Sequence, residues 1–329
     1  MRSSRIICAG VVSFALGFLI YCPVVMGKGP GERAKKNSPH PKLVCVEGGT
    51  FLMGDVLADG DRAMLAEMPV HEVEVGNFLL SPYEVTVGEF RKFVEETGYK
   101  TRAETDGQGK ATKEMIEKGW TKYPNFKAHW FKQTDRHPAV WIAWEDAIVY
   151  CNWLSKQHGI AAAYDESTGQ LLDKDGKVTT DVRQVEGFRL PTEAEWEFAA
   201  RERGKKVRFG NGKNIATADE INFDARKDEK KYTVKGEYLE ATTPVGSFAP
   251  NALGLYDMSG NAWEWCSDTG VDYLDKKVTN PYAINKTGHM ARGGNWDSDA
   301  AGCRVTTRIN WWLNSMCAAT GFRIARTAD

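Results

Sequence analysis

No C-x-x-C pair occurs anywhere in this chain, so no zinc site follows from cysteine spacing. Long basic runs are missing as well. With 43 Lys and Arg against 44 Asp and Glu, the net charge is -1, which gives no electrostatic case for nucleic acid or an anionic membrane. Nothing repeats at a fixed period, and the only long apolar run, Ile6 to Ile20, sits at the extreme N-terminus. What is present is the composition of a folded protein, 42% hydrophobic and 26% charged, over 329 residues, enough for one large domain or two ordinary ones. The 32 glycines imply many tight turns and bulges, and the 11 tryptophans need either a deep core or a binding surface.

Arg2 and Arg5 followed by the apolar run read as a targeting segment, too short and too glycine-marked for a membrane span. Cys22, after Leu19-Ile20-Tyr21, loosely matches a lipoprotein box; cleavage after Gly27 is the other exit. The favoured reading is a lipoprotein-type signal peptide over 1–22, lipidation at Cys22 and display at the cell surface. Residues 23–42 then form a flexible linker, rich in Gly, Pro and Lys, ahead of a domain over 43–329. Five cysteines remain beyond Cys22 (Cys45, Cys151, Cys266, Cys303 and Cys317), and in a domain of this size buried free thiols are the default.

Residues 43–55 alternate around Gly48-Gly49 and read as strand, tight turn, strand; 68–86 alternate again through Val70, Val73 and Val75. Thr86 with Glu89 forms a capping box that opens a helix closed by Gly98. A second helix spans 144–159. A third begins at Thr192 with Glu195 and has Gly204 as its cap. Tyr164 to Thr180 reads as a hairpin, and 100–140 as a long irregular connection. The D-x-D-G of Asp173 to Gly176 lacks the other ligands of a calcium loop and is read as a turn. Short strands among three modest helices, with no composition break after residue 43, indicate one α+β domain.

Several stretches are more particular: GGTFLMGD, Pro69 to Val73 as P-x-H-x-V, YEVT at Tyr83 to Thr86, FRLPTEAEWEFAAR, GLYDMSGNAWEWCSD, ARGGNW and GFRIA. Together, from about Val44 to the C-terminus, they resemble the formylglycine-generating enzyme family, which implies an elaborated C-type lectin fold. The resemblance also implies oxidase chemistry on copper(I) held by two thiolates five residues apart. Those positions fall on Ser298 and Cys303 here. A hydroxyl is a hard, weakly acidic donor that cannot replace a thiolate on copper(I), so no copper and no enzymatic activity are expected. The iron-dependent branch of the family needs an H-x-x-x-H pair, and none of the six histidines has that spacing. The resemblance further implies a calcium site at Asp257, the carbonyls of Gly260 and Ala262, and Glu264. A second would fall at Asn222, Phe223, Glu237 and Leu239. Asp257 and Glu264 serve equally well as turn-stabilising acceptors without an ion.

The C-terminal stretch 292–326 then reads as a frame with filler. Arg292, Gly293, Gly294, Cys303, Arg304, Val305, Arg308, Gly321, Phe322 and Arg323 match the family. The intervening Asp297, Ser298, Asp299, Gly302, Thr307, Ile309, Asn310, Trp311, Trp312, Leu313, Asn314, Ser315, Met316, Cys317 and Ala318 do not. Several of these residue types are reachable from an asparagine codon by changing only its adenines. The pattern resembles the variable proteins of diversity-generating retroelements, of which lipobox-bearing surface forms occur in treponemes. It implies a non-enzymatic binding face over about 297–319, with exposed aromatics at its centre and a protein or glycan ligand. A copper oxidase and a structural component of an envelope complex are the alternatives.

Overall fold

The computed structural model describes residues 41–59, 66–105, 113–117, 124–127, 129, 131–227, 230–284, 288–311 and 318–328. The targeting segment with Cys22, most of the tether, and 312–317 (Trp312, Leu313, Asn314, Ser315, Met316 and Cys317) lie outside the described residues. Ser38–Asp329 forms one unit.

Period-two burial builds the first strands. In β2 (Gly49–Met53) and β3 (His71–Val75), Phe51, Met53, Val73 and Val75 face inward while Leu52, Glu72 and Glu74 face solvent. The two pair antiparallel, Gly49 opposite Val75 and Met53 opposite His71, and β6 (Val278–Thr279) runs parallel along the other edge of β3. β1 (Val44–Val46) does not fold back on β2 across Gly48-Gly49, as a simple strand–turn–strand would. It pairs instead with β4 (Phe78–Leu80), whose other edge takes the C-terminal β10 (Ala325–Thr327). The two chain ends of the domain are thereby tied into one sheet.

Local signals placed the helices well. α1 (Val87–Thr97) carries the Thr86/Glu89 capping box and ends at Gly98 in the left-handed region. The single turns α2 (Arg102–Thr105) and α3 (Lys113–Glu117) lie within the irregular 100–140 connection. α4 (Trp144–His158) ends at Gly159, again left-handed. In the 164–180 hairpin, Asp173 Oδ1 accepts the N–H groups of Asp175 and Lys177 at 2.9 Å each, so this carboxylate is a turn acceptor. α5 (Glu193–Ala200) has the expected Thr192/Glu195 box but stops at Arg201, before Gly204. Arg201 is drawn inward by Glu197 (2.9 Å) and the Leu52 carbonyl (2.6 Å), which ends the helix early.

α5 is buried on every side, and its carboxylates organise the core. It packs under a four-stranded sheet ordered β8 (Arg308–Trp311), β7 (His289–Arg292), β5 (Trp263–Thr269), β9 (Thr320–Gly321). Every residue of β5 is buried, and Trp265 Nε1 donates to the Ile142 carbonyl at 2.8 Å. Two apolar clusters meet here, one around Phe90, Tyr150, Trp265 and Phe322, the other around Phe51, Val73, Trp196 and Met290.

Candidate functional site

Each arginine of the C-terminal frame is held by buried carboxylates, with Glu193 shared between Arg292 and Arg308. Arg292 contacts Glu197 and Glu193 and donates to the carbonyls of Val305 (3.2 Å) and Thr307 (2.7 Å). Arg304 forms a two-pronged pair with Glu67 at 2.7 and 2.8 Å. Arg308 does the same with Glu193 at 2.7 Å for both bonds. Arg323 grips Glu264 at 2.6 and 2.7 Å and reaches the carbonyls of Ser81, Pro82 and Tyr256. Charge-assisted, bidentate pairs inside a core are geometrically exacting, so they fix the backbone around them.

The filler residues fall into three groups. Asp297 and Asn310 are exposed; Ser298, Asp299, Gly302, Ile309, Trp311 and Ala318 are half-buried. Thr307 is corrected: it is buried, its hydroxyl donating to the Ala301 carbonyl at 2.7 Å, because the segment from Cys303 to Arg308 runs through the interior. Trp311 is corrected too as an exposed aromatic anchor. Its ring lies 6.2 Å from Trp263 and 5.5 Å edge-on from Trp265, and Ile309 packs against the same core. Asp299 Oδ1 accepts Gly302 N–H at 2.8 Å, and a side chain at Gly302 would press on Ser298 Cβ at 3.1 Å.

Asp297 is the centre of a built surface that the sequence did not show. Its Oδ1 accepts Lys227 Nζ at 2.7 Å and the Tyr238 hydroxyl at 2.8 Å. Tyr238 stacks on Trp296 (5.9 Å between rings), Arg226 lies 4.0 Å over Tyr238, and Phe131 meets Trp296 edge-on at 6.3 Å. Burial and then the Asp297 hydrogen bond push the Tyr238 phenol upward, so it stays a donor. Lys227 and Tyr238 are 70 and 59 residues from Asp297, so no local spacing announces them.

The two oxidase positions do not fit a copper(I) pair. Ser298 Oγ donates to Asn295 Oδ1 at 2.9 Å and accepts from the Asn295 N–H. Cys303 has zero exposure in an apolar cluster with Phe209, Ile221, Phe223 and Tyr232, and burial pushes its thiol up.

Among the described residues no three His, Cys, Asp or Glu side chains converge as a metal cage. At the first implied calcium site the carboxylates already have protein partners, although Glu84 Oε2 is buried near Asp257 and Glu264 with no hydrogen-bond partner among the described residues. Both Glu264 oxygens are taken by Arg323, and Trp196 Nε1 adds a third bond at 2.7 Å. Asp257 accepts the Gly246 N–H at 2.7 Å, and burial raises it to about 6. Its charge in turn helps burial to lift Glu84 well above the carboxylate range. The second implied site fits better. Asn222, Phe223, Glu237 and Leu239 line one cavity of about 130 Å³ with Asp219, and Asn222 Oδ1 is buried there with no partner among the described residues.

Comparison with known proteins bears on these expectations. The model of the sulfatase-modifying factor enzyme 1-like domain matches residues 30–328. The formylglycine-generating enzyme of Streptomyces coelicolor is 29% identical, covering 91% of this chain and 93% of its own. A Bos taurus relative named inactive C-alpha-formylglycine-generating enzyme 2 is 30% identical over 89% of this chain and 90% of its own. Among solved structures, PvdO from Pseudomonas aeruginosa superposes with a TM-score of 0.61 at 26% identity, covering 91% of this chain and 99% of that one. Treponema denticola variable protein 1 shares the fold, with a TM-score of 0.59 at 21% identity over 87% of this chain and 95% of that one. The expectation that the chain is not an enzyme is corrected by these relatives, since proteins named as enzymes align with nine-tenths of it. The fold is α+β, an elaborated C-type lectin fold, and the chain belongs to the FGE-sulfatase family.

Proposed function

We propose that this chain recognises a macromolecular ligand, protein or glycan, through the accessible positions of its C-terminal segment. The accessible core of that face is Asp297, Ser298, Asp299 and Asn310, flanked by Lys227, Tyr238 and Arg226. One observation carries the reading: the frame arginines 292, 304, 308 and 323 are each pinned by buried carboxylates, while Asp297, Ser298, Asp299 and Asn310 between them reach the surface. Such an arrangement lets side chains at the face change without loosening the core. The alternation supports sequence diversification of this segment. Flanking DNA holding a reverse-transcriptase gene and a near-copy of the segment differing at adenines would establish it; DNA lacking both would refute it.

Binding is tested with the whole chain on beads against envelope fractions, beside an Asp297→Ala, Asp299→Ala, Asn310→Ala triple variant. Loss of the captured species in the variant, with its melting temperature kept, is the expected outcome; equal capture sinks the reading. A species that survives washing at fixed stoichiometry would instead mark a permanent envelope component. Lipidation at Cys22 and surface display belong to the same proposal and are read by acyl labelling of wild type against Cys22→Ala. A calcium ion at Asn222, Glu237 and the carbonyls of Phe223 and Leu239 would stiffen the loop that carries Tyr238.

The names of the curated relatives favour a second reading, catalysis of the formylglycine-generating kind. Mass loss at the cysteine of a substrate peptide incubated with the whole chain and copper would favour it over recognition alone.

A further inference from the structure

Away from the C-terminal face, a cavity of about 460 Å³ opens between β3, the start of α5, the end of β5 and residues 271–283. Asp268 lines it and is only 5% exposed. Its Oδ2 accepts the Glu193 N–H at 2.7 Å and its Oδ1 the Ala283 N–H at 3.2 Å. Among the described residues no lysine, arginine or histidine lies within 4.0 Å of that carboxylate. The buried glutamates nearby differ: Glu193, Glu195, Glu197 and Glu264 each hold an arginine. Lys277 lines the cavity but is turned to Glu72 at 2.8 Å and Glu74 at 3.7 Å, and Lys276 lies exposed at the rim.

The walls are aromatic. Tyr273 packs 4.6 Å from the His71 ring and already carries the Arg308 guanidinium 4.0 Å over its face, whereas Tyr282 stands close enough to Asp268 that the acid's charge, after burial, raises its phenol. Val271 and Leu274 form an exposed apolar rim, and Asp272 adds a second negative charge there. A buried carboxylate without a counter-ion is costly, and a cation that enters beside it recovers that cost. Tyrosine faces attract organic cations, and the volume lies in the range of small-ligand sites.

We propose that this cavity is a binding site for a small organic cation, an alkylammonium or methylammonium group set against Asp268 beside Tyr282. Arg308 of the C-terminal frame borders the cavity at Val271 and Tyr273, but none of the accessible face residues lines it. Burial, and then the neighbouring charges of Glu193 and Glu195, raise Asp268 to about 8 against the pull of its two backbone hydrogen bonds.

Tetramethylammonium and n-butylammonium are titrated by NMR into the whole chain above the Asp268 value, with n-butanol as the uncharged control. Both cations should shift the resonances of 268–283. Binding should weaken about tenfold or more in Asp268→Asn and in Tyr282→Leu, while n-butanol responds equally in wild type and Asp268→Asn. Tyr282→Leu leaves the α5 cap intact and decides the matter if Asp268→Asn fails to fold. Absence of cation binding to wild type, equal binding in Tyr282→Leu, or equal binding by n-butanol and the cations would overturn the proposal.

Discussion

Replacing Glu264 by Gln tests what this buried carboxylate is for. In the structure it neutralises Arg323, which has no exposed side-chain surface, through two bonds of 2.6 and 2.7 Å, and it also accepts Trp196 Nε1. The amide keeps one acceptor and loses the charge, leaving the guanidinium hydrogen-bonded to carbonyls and balanced only by the more distant Glu84 and Asp257. Breaking such a pair from one side costs about 3–5 kcal/mol. For a domain of this size that lowers Tm by roughly 5–8 °C, given an unfolding entropy near 2 cal/mol/K per residue. Differential scanning calorimetry with and without calcium reads both the size and the cause. Glu264→Gln should show the full drop under either condition and keep whatever response to calcium wild type shows, whereas Glu237→Gln should lose that response. If Glu264→Gln abolishes the calcium response and leaves the calcium-free Tm unchanged, Glu264 is a metal ligand and the ion-pair reasoning fails.

Three further outcomes follow from the geometry. Native alkylation followed by peptide mapping should leave Cys303 unmodified while exposed Cys45 reacts, and prompt labelling of Cys303 would contradict its enclosure. Asp297→Ala should change stability by about 0.5 kcal/mol or less, since its partner Lys227 is solvent-exposed, whereas Arg304→Met strands buried Glu67 and should cost about 3 kcal/mol or more; equal costs in urea melts would refute the split between face and frame. Asp268 is raised to about 8 in the fold, so the native state holds that proton more tightly than the unfolded chain. Its contribution is therefore intact in acid and lost as pH rises through about 8, and stability against pH should run flatter in Asp268→Asn than in wild type.

Local signals in the sequence were sufficient wherever one segment satisfies itself. The capping boxes at Thr86 and Thr192, the left-handed stops at Gly98 and Gly159, and the alternation of 71–75 each need only neighbours a few residues away. Sheet partnership was not legible at β1 and β2. Their alternation marks two strands, but β4 and β3 claim them from opposite sides. The end of α5 was misplaced for a related reason, since the side chain of Arg201 is bound to Leu52, 149 positions away.

The order of residues alone thus determined the family, the fold class, most helix ends and the alternation of frame and filler in the C-terminal segment. Tertiary structure decided how each polar group is used. Glu264 finds its arginine in Arg323, 59 residues on, which no spacing in the sequence marks. Thr307 looks like a surface residue until the path of 303–308 through the interior buries it, and Trp311 until it leans half-buried on the tryptophans of β5. Asp297 acquires Lys227 and Tyr238, and Asp268 acquires a cavity whose Lys277 is turned to Glu72. The physical reason is one of range: hydrogen-bond caps and strand pleats are satisfied within a turn or two, whereas a buried charge can be balanced by any residue that packing delivers, and sequence spacing carries no record of which one arrives.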